Sequence, residues 1–310
     1  MKKVLFATAA LIATGSVAAA EITFGGYGRF GMQYQEDRGV GIDDTRIESR
    51  FRMDIDAETT SDIGVRFGAR VRVQADENGN GSANIAGFNG ARFFAESGGF
   101  RLEVGNVADA IDNMSNYYGY EPGLSAPVGQ YSNTGLPVAG YATGAPGVNG
   151  VSAIYSYGDF RGQLTGSKDT DGGIGGSQDR ISASVAYTFS GWTVALAYAE
   201  AQDEPAFAVK RDGTVLTVGG SLGMVDLAML VADDSVEGTS YGVSGKYPIG
   251  AATSILAAVS GGGDDFTTTN KTAFGIGFDH SLGGGVNLRG MVGRNSASNN
   301  VADLGVQFNF

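Results

Sequence analysis

Arginine recurs at alternate positions in this chain. Arg50 and Arg52 are followed by Arg66, Arg70 and Arg72, with Arg29 before them and Arg92 after. A guanidinium stays charged at any physiological pH and presents a rigid planar fork. Seven of them on neighbouring segments repel one another unless carboxylates answer. Glu48, Asp54 and Glu103 lie in the same segments, and Asp109, Asp112 and Glu121 follow in the next stretch. A basic wall opposed to an acidic strap across a narrow aqueous gap would set a transverse field. Polar solutes align in such a field, while apolar ones lose hydration and gain no partners, which is electrostatic sorting by a passage. Classical catalysis has less material: a nucleophile needs a base beside it, and the only histidine is His280.

The strap candidate runs from Asn106 to Gly150. It is rich in Gly, Pro, Asn, Ser and Tyr, holds four of the six prolines (Pro122, Pro127, Pro137, Pro146), and has acids only at Asp109, Asp112 and Glu121. Ordinary connections have a median of about 4–6 residues, and those past about 15 are functional or disordered. The alternative to a strap is a surface excursion without a role.

Elements of period two must position these groups. Ile22, Phe24, Phe30, Met32 and Tyr34 share one parity against Thr23, Tyr27, Arg29 and Gln33. Ile47, Phe51, Met53 and Ile55 oppose Arg46, Glu48, Arg50, Arg52, Asp54 and Asp56, and Val65, Phe67, Val71 and Val73 oppose Arg66, Arg70, Arg72 and Gln74. Successive strand side chains point to opposite faces, so each segment is a strand with one apolar and one charged face. The pattern predicts further strands over 88–95, 100–104, 151–157, 160–166, 181–189, 192–198, 214–222, 225–231, 241–249, 253–259, 274–278, 286–292 and 304–310, about sixteen in all.

Connections alternate between short turns (59–62, 97–99, 158–159, 190–191, 222–224, 249–251, 281–285) and longer polar loops (36–44, 76–82, 106–150, 168–179, 200–212, 233–238, 261–270, 294–300). An antiparallel meander with its two ends in different compartments does this. A soluble sandwich would bury one face and carry little charge on the other. The expectation that every strand's polar face carries Arg and acids fits a closed barrel better. Sixteen strands enclose more space than side chains fill, and only closure satisfies all backbone groups in hydrocarbon. The predicted class is all-β: a transmembrane antiparallel β-barrel, whose residues 106–150 would face the arginine wall if they enter its lumen. Tyr34, Phe93, Tyr157, Tyr187, Phe189, Trp192, Tyr198, Tyr247, Phe308 and Phe310 are candidates for interfacial girdles.

Residues 1–20 read as a signal peptide: Lys2 and Lys3, an apolar run from Val4 to Val17, then Ala18-Ala19-Ala20 before Glu21. Residues 21–310 then form one domain. The formal charge of −12 becomes −14 once the leader's two lysines are removed. An acidic balance argues against nucleic acid as a partner, and the absence of cysteine excludes thiolate metal sites and disulfides. No resident cofactor is expected. The pairs Asp43-Asp44, Asp233-Asp234 and Asp264-Asp265 either solvate external loops or bind Ca²⁺ at an unlocated site. His280 shares parity with Phe274, Ile276 and Phe278, placing it outward near a short turn.

The leader, the glycine-rich meander, the long third loop and the closing VADLGVQFNF together resemble Gram-negative general porins, above all those of alphaproteobacteria of the Rhodobacter type. The last strand ends on Phe310 with Leu304, Val306 and Phe308 on its parity, similar to that family's outer-membrane assembly signal. The resemblance implies a sixteen-stranded barrel in the outer membrane, assembled as a homotrimer among lipid and lipopolysaccharide, passing small hydrophilic solutes and ions. It also implies that the third loop narrows the pore. A substrate-selective channel, a barrel enzyme and an adhesin are the alternatives.

Overall fold

A computed structural model describes residues 20–77, 83–167, 178–203, 210–263 and 271–310. The predicted leader, apart from Ala20, and the pair Asp264-Asp265 lie outside the described residues. The strands are β1 (Glu21–Gln35), β2 (Thr45–Thr60), β3 (Arg66–Asp76), β4 (Gly87–Phe88), β5 (Arg92–Ser97), β6 (Phe100–Asn106), β7 (Asn149–Tyr157), β8 (Phe160–Ser167) and β9 (Gln178–Phe189). They continue as β10 (Trp192–Asp203), β11 (Lys210–Leu222), β12 (Val225–Asp234), β13 (Gly238–Pro248), β14 (Thr253–Gly262), β15 (Ala273–Gly283), β16 (Val286–Arg294) and β17 (Asn300–Asn309). No helix interrupts them among the described residues.

Consecutive strands other than β4 and β5 pair antiparallel, and β1 pairs with both β2 and β17, so the sheet closes. Because β4 and β5 both pair with β3, the seventeen segments fill sixteen positions of the barrel. The expected single strand over 88–95 is broken. Between the pairings Val73↔Phe88 and Arg70↔Arg92, β3 has two residues and its partner has three, the count of a β-bulge. The break turns the chain at residues 89–91 toward the long connection: Gly90 N donates to Pro146 O (3.0 Å), and Asn89 Nδ2 donates to Ala142 O.

Parity is realised in space. Phe24 is 62% exposed and Leu164 54%, whereas Glu48 is 1% exposed and Ser152 fully buried. An apolar face this extensive on the outside of a closed sheet belongs against hydrocarbon. The last strand returns to the first. Gly26 and Phe310 exchange both backbone hydrogen bonds (2.9 and 3.1 Å), and the Phe310 ring stacks on Phe51 with centroids 5.7 Å apart. Glu21 pairs with Glu58 beside the turn between β2 and β3. Glu21 and Phe310 therefore both lie toward the short-turn rim.

The inner faces are not alike. The charged residues expected of every strand crowd β1, β2, β3, β5 and β6. On β10 to β12 the buried inner positions include Ala195, Ala197, Ala199, Val215, Thr217, Leu230 and Ala232. Long charged side chains there would be buried without counter-charges, because residues of the long connection cover that half.

Candidate functional site

The charged half is a ladder of opposites. The β2–β3 register sets Arg50 across from Asp76, Asp54 across from Arg72 and Asp56 across from Arg70. Their side chains meet: Arg72 Nε to Asp54 Oδ1 at 2.5 Å, Arg70 Nε to Asp56 Oδ1 at 2.6 Å, and Arg50 to Asp76. Arg29 pairs with Glu48, Arg66 with Glu96 (2.9 Å), and Arg92 more loosely with Glu103 (3.7 Å). Arg52 differs, with Nε donating to Gln74 Oε1 at 2.6 Å and its guanidinium 5.1 Å from the centre of the Tyr27 ring. Each cross-strand pair contributes roughly 0.2–1 kcal/mol. Their larger effect is to hold the guanidinium groups at fixed positions.

Asp56 and Asp76 are counter-charges that the sequence argument passed over. Their signal was present: β2 reads Arg50, Arg52, Asp54, Asp56 and β3 reads Arg70, Arg72, Gln74, Asp76, orders that become complementary once the strands run antiparallel.

The connection between β6 and β7, residues 107–148, is tied to the inner faces of β9, β11, β13, β14 and β1. Ala110 N donates to Ser182 Oγ (2.9 Å), Thr217 Oγ1 to Ser115 O (2.7 Å), and Tyr120 N to Ser244 Oγ (2.8 Å). Ser260 Oγ donates to Asn133 Oδ1 (2.7 Å), and Arg29 Nη1 reaches Leu124 O (3.2 Å). Ile111, Met114, Tyr117 and Leu136 form one buried cluster with the small residues of β10 to β12. Contact is close enough that a Cβ on Gly242 would lie 1.8 Å from Gln130 O. Asp233-Asp234, expected to solvate a loop, instead ends β12, and the buried Asp234 accepts Gly135 N at 2.9 Å. A carboxylate receiving a backbone N–H in this way anchors the connection.

The three acids of the connection are engaged within it. Asp109 accepts the N–H groups of Ile111 (2.9 Å), Asp112 (2.8 Å) and Ala139 (2.6 Å), stapling its outgoing and returning arms. Burial pushes the Asp109 carboxyl up to about 6 against the pull of those donors. Tyr118 donates its hydroxyl to Asp112, and Tyr131 donates to Glu121. Burial raises both of these carboxyls, while Arg289 draws Glu121 back down. Among the described residues, the ion pairs of Arg29, Arg50, Arg66, Arg70, Arg72 and Arg92 are all with carboxylates of the strands.

Wall and connection meet through an aromatic ring. The Tyr141 centroid lies 4.9 Å from the Arg72 guanidinium carbon and 4.7 Å from that of Arg92, and its hydroxyl approaches Arg70 O at 3.4 Å. Contacts of this kind are worth about 0.5–2 kcal/mol. Nothing in the alternation of polar and apolar residues marks Tyr141, since it sits where the alternation has stopped.

Other sequence candidates fall away from this region. His280 lies on β15 with Nδ1 2.7 Å from Thr253 Oγ1, and Asp43 accepts Thr45 N at 3.0 Å. No cluster of three metal-ligating side chains occurs among the described residues.

A model of the Gram-negative porin family matches residues 7–300. A porin of Fuscovulum blasticum is 35% identical over 301 residues, an alignment that covers 94% of this chain and all of the relative. Among solved structures, a triple mutant of Rhodopseudomonas blastica porin superimposes with a TM-score of 0.80 at 29% identity, covering 93% of this chain and all of that one. A further mutant of Rh. blastica porin gives 0.81 at 28% identity with the same coverage.

Proposed function

The chain belongs to the Gram-negative porin family, forming an outer-membrane channel for passive diffusion of small hydrophilic solutes, and from that premise we propose how it filters them. Residues 107–148 fold into the lumen and lean on the small-residue half. The passage is thereby confined between the outer surface of this strap and the arginine ladder of β1, β2, β3, β5 and β6. One observation carries the reading: the strap's anchors (Ser182, Thr217, Ser244, Ser260, Asp303) all lie on strands, on the face opposite their exposed apolar residues.

The ladder supplies fixed dipoles across the opening, since each of its guanidinium groups except that of Arg52 has its carboxylate on an adjacent strand. The strap presents tyrosines and carboxyls already bonded to tyrosine. A solute crossing between them exchanges hydration for guanidinium and carboxylate partners on one side only. Arg29, Arg50, Arg52, Arg66, Arg70, Arg72 and Arg92 are its basic contacts in this scheme. Asp109 positions the strap, and Asp112 and Glu121 lie along it. A homotrimer in a bilayer with lipopolysaccharide completes the reading, supported by family membership and by the apolar outer face.

Single-channel recording of the purified protein in planar bilayers under a KCl gradient tests it. A steady ohmic conductance with a measurable reversal potential is expected. Flux of neutral sugars that saturates at low concentration would favour a substrate-selective channel instead.

A further inference from the structure

Along β2 and β3 every guanidinium except that of Arg52 has a carboxylate partner, whereas past β5 the carboxylates run short. A recess of about 350 Å³ opens on the inner face toward the short-turn rim. Arg92, Arg101, Arg161, Glu96, Glu103 and Asn113 line it. Three guanidinium groups there meet two carboxylates, and both carboxylates are already shared. Glu103 takes Arg101 Nε at 2.8 Å with Arg92 at 3.7 Å, and Glu96 takes Arg101 at 3.0 Å while also holding Arg66 at 2.9 Å. Arg101 further stacks on Phe94, its guanidinium carbon 3.6 Å from the ring centre.

Arg161 is left over. It lies on β8 directly across from Ser156, two residues past the turn at Gly158-Asp159. Among the described residues, no hydrogen bond or ion pair engages its guanidinium. Its inner-face neighbour across β9 is Ala186, the start of the small-residue half, so no acid approaches from that side. An unanswered guanidinium, half-buried beside two others, is a site that a planar or tetrahedral oxyanion fits bidentately.

We propose that this recess is a subsite for a small oxyanion, a carboxylate or a phosphate, gripped by Arg161 and flanked by Arg92 and the side-chain amide of Asn113. The inference rests on the passage described under the proposed function and adds to it a station beyond the strap on the short-turn side. Anions that pass the ladder dwell there before leaving. Chloride, a single acceptor atom that cannot give each arm of the fork its own oxygen, dwells less.

Bilayer recordings in KCl, with inorganic phosphate and acetate titrated separately from the short-turn side, test the station. Saturable reduction of the KCl current is expected for at least one of the two probes. The one that acts at lower concentration identifies the better-fitting oxyanion. Arg161→Gln should raise the half-saturating concentration about tenfold or more. Arg161→Lys, which keeps the charge but not the fork, should fall between. Equal half-saturation in the wild type and Arg161→Gln, or a linear response to both probes, would overturn the subsite. Absence of ohmic current in KCl alone would instead strike at the channel reading itself.

Discussion

Asp303 holds Leu124. The Leu124 N–H donates to Asp303 Oδ1 at 2.8 Å, and Ser125 gives Oδ2 both its N–H (2.8 Å) and its hydroxyl (2.7 Å). Asp303 belongs to the last strand, the one whose pairing with β1 closes the barrel. The strap is therefore tied to the same strand that closes the barrel. Hydrogen bonds to a charged group are worth about 1.5–3 kcal/mol each. Asp303→Ala should release the tip of the strap and give a larger, noisier single-channel conductance. Conductance and noise identical to wild type would show that the anchor is dispensable.

The proposed passage makes the ladder the source of ion selectivity. Replacing Arg50, Arg70 and Arg72 together with glutamine leaves Asp76, Asp56 and Asp54 without their partners. The reversal potential in a KCl gradient should move toward the potassium equilibrium value, and most steeply at low salt, where screening is weakest. No movement would place these residues away from the narrowest section.

Tyr141 clamps the returning arm between Arg72 and Arg92. Tyr141→Phe keeps the ring and loses only a hydroxyl contact of 3.4 Å, so its channels should behave as wild type. Tyr141→Leu loses the cation–π contacts, at a cost of about 0.5–2 kcal/mol. Its channels should close at lower applied voltage. Equal closing voltages in the two variants would mean that the ring's charge interaction has no part in holding the strap.

The barrel was legible because one face of every strand meets a single environment, so parity carries the signal. Phe51 and Arg52 needed no structure to be assigned to opposite faces. The break at residues 89–91 was not legible, since its cause is a set of hydrogen bonds to Pro146 and Ala142, far along the chain. The same limit hid the anchoring roles of Asp234, which read as a loop acid, and of Asp303, whose significance appears only with a distant backbone N–H. The arginines were found by type and spacing. Their partners Asp56 and Asp76 follow from register, which the sequence carries only once two strands are aligned. The small residues of β10 to β12 carry no signal of their own in the alternation, and their meaning is the strap that covers them.

The account turns on the strap bounding the water-filled passage. The chain has no cysteine, so a single one can be placed at will. Tyr118 is the strap's exposed tyrosine, and Phe51 is exposed on the outer face. A negatively charged thiol reagent added to open Tyr118→Cys channels in a bilayer is predicted to lower single-channel conductance in one step, while Phe51→Cys channels remain unchanged. Unaltered conductance at Tyr118→Cys after confirmed labelling would contradict the account.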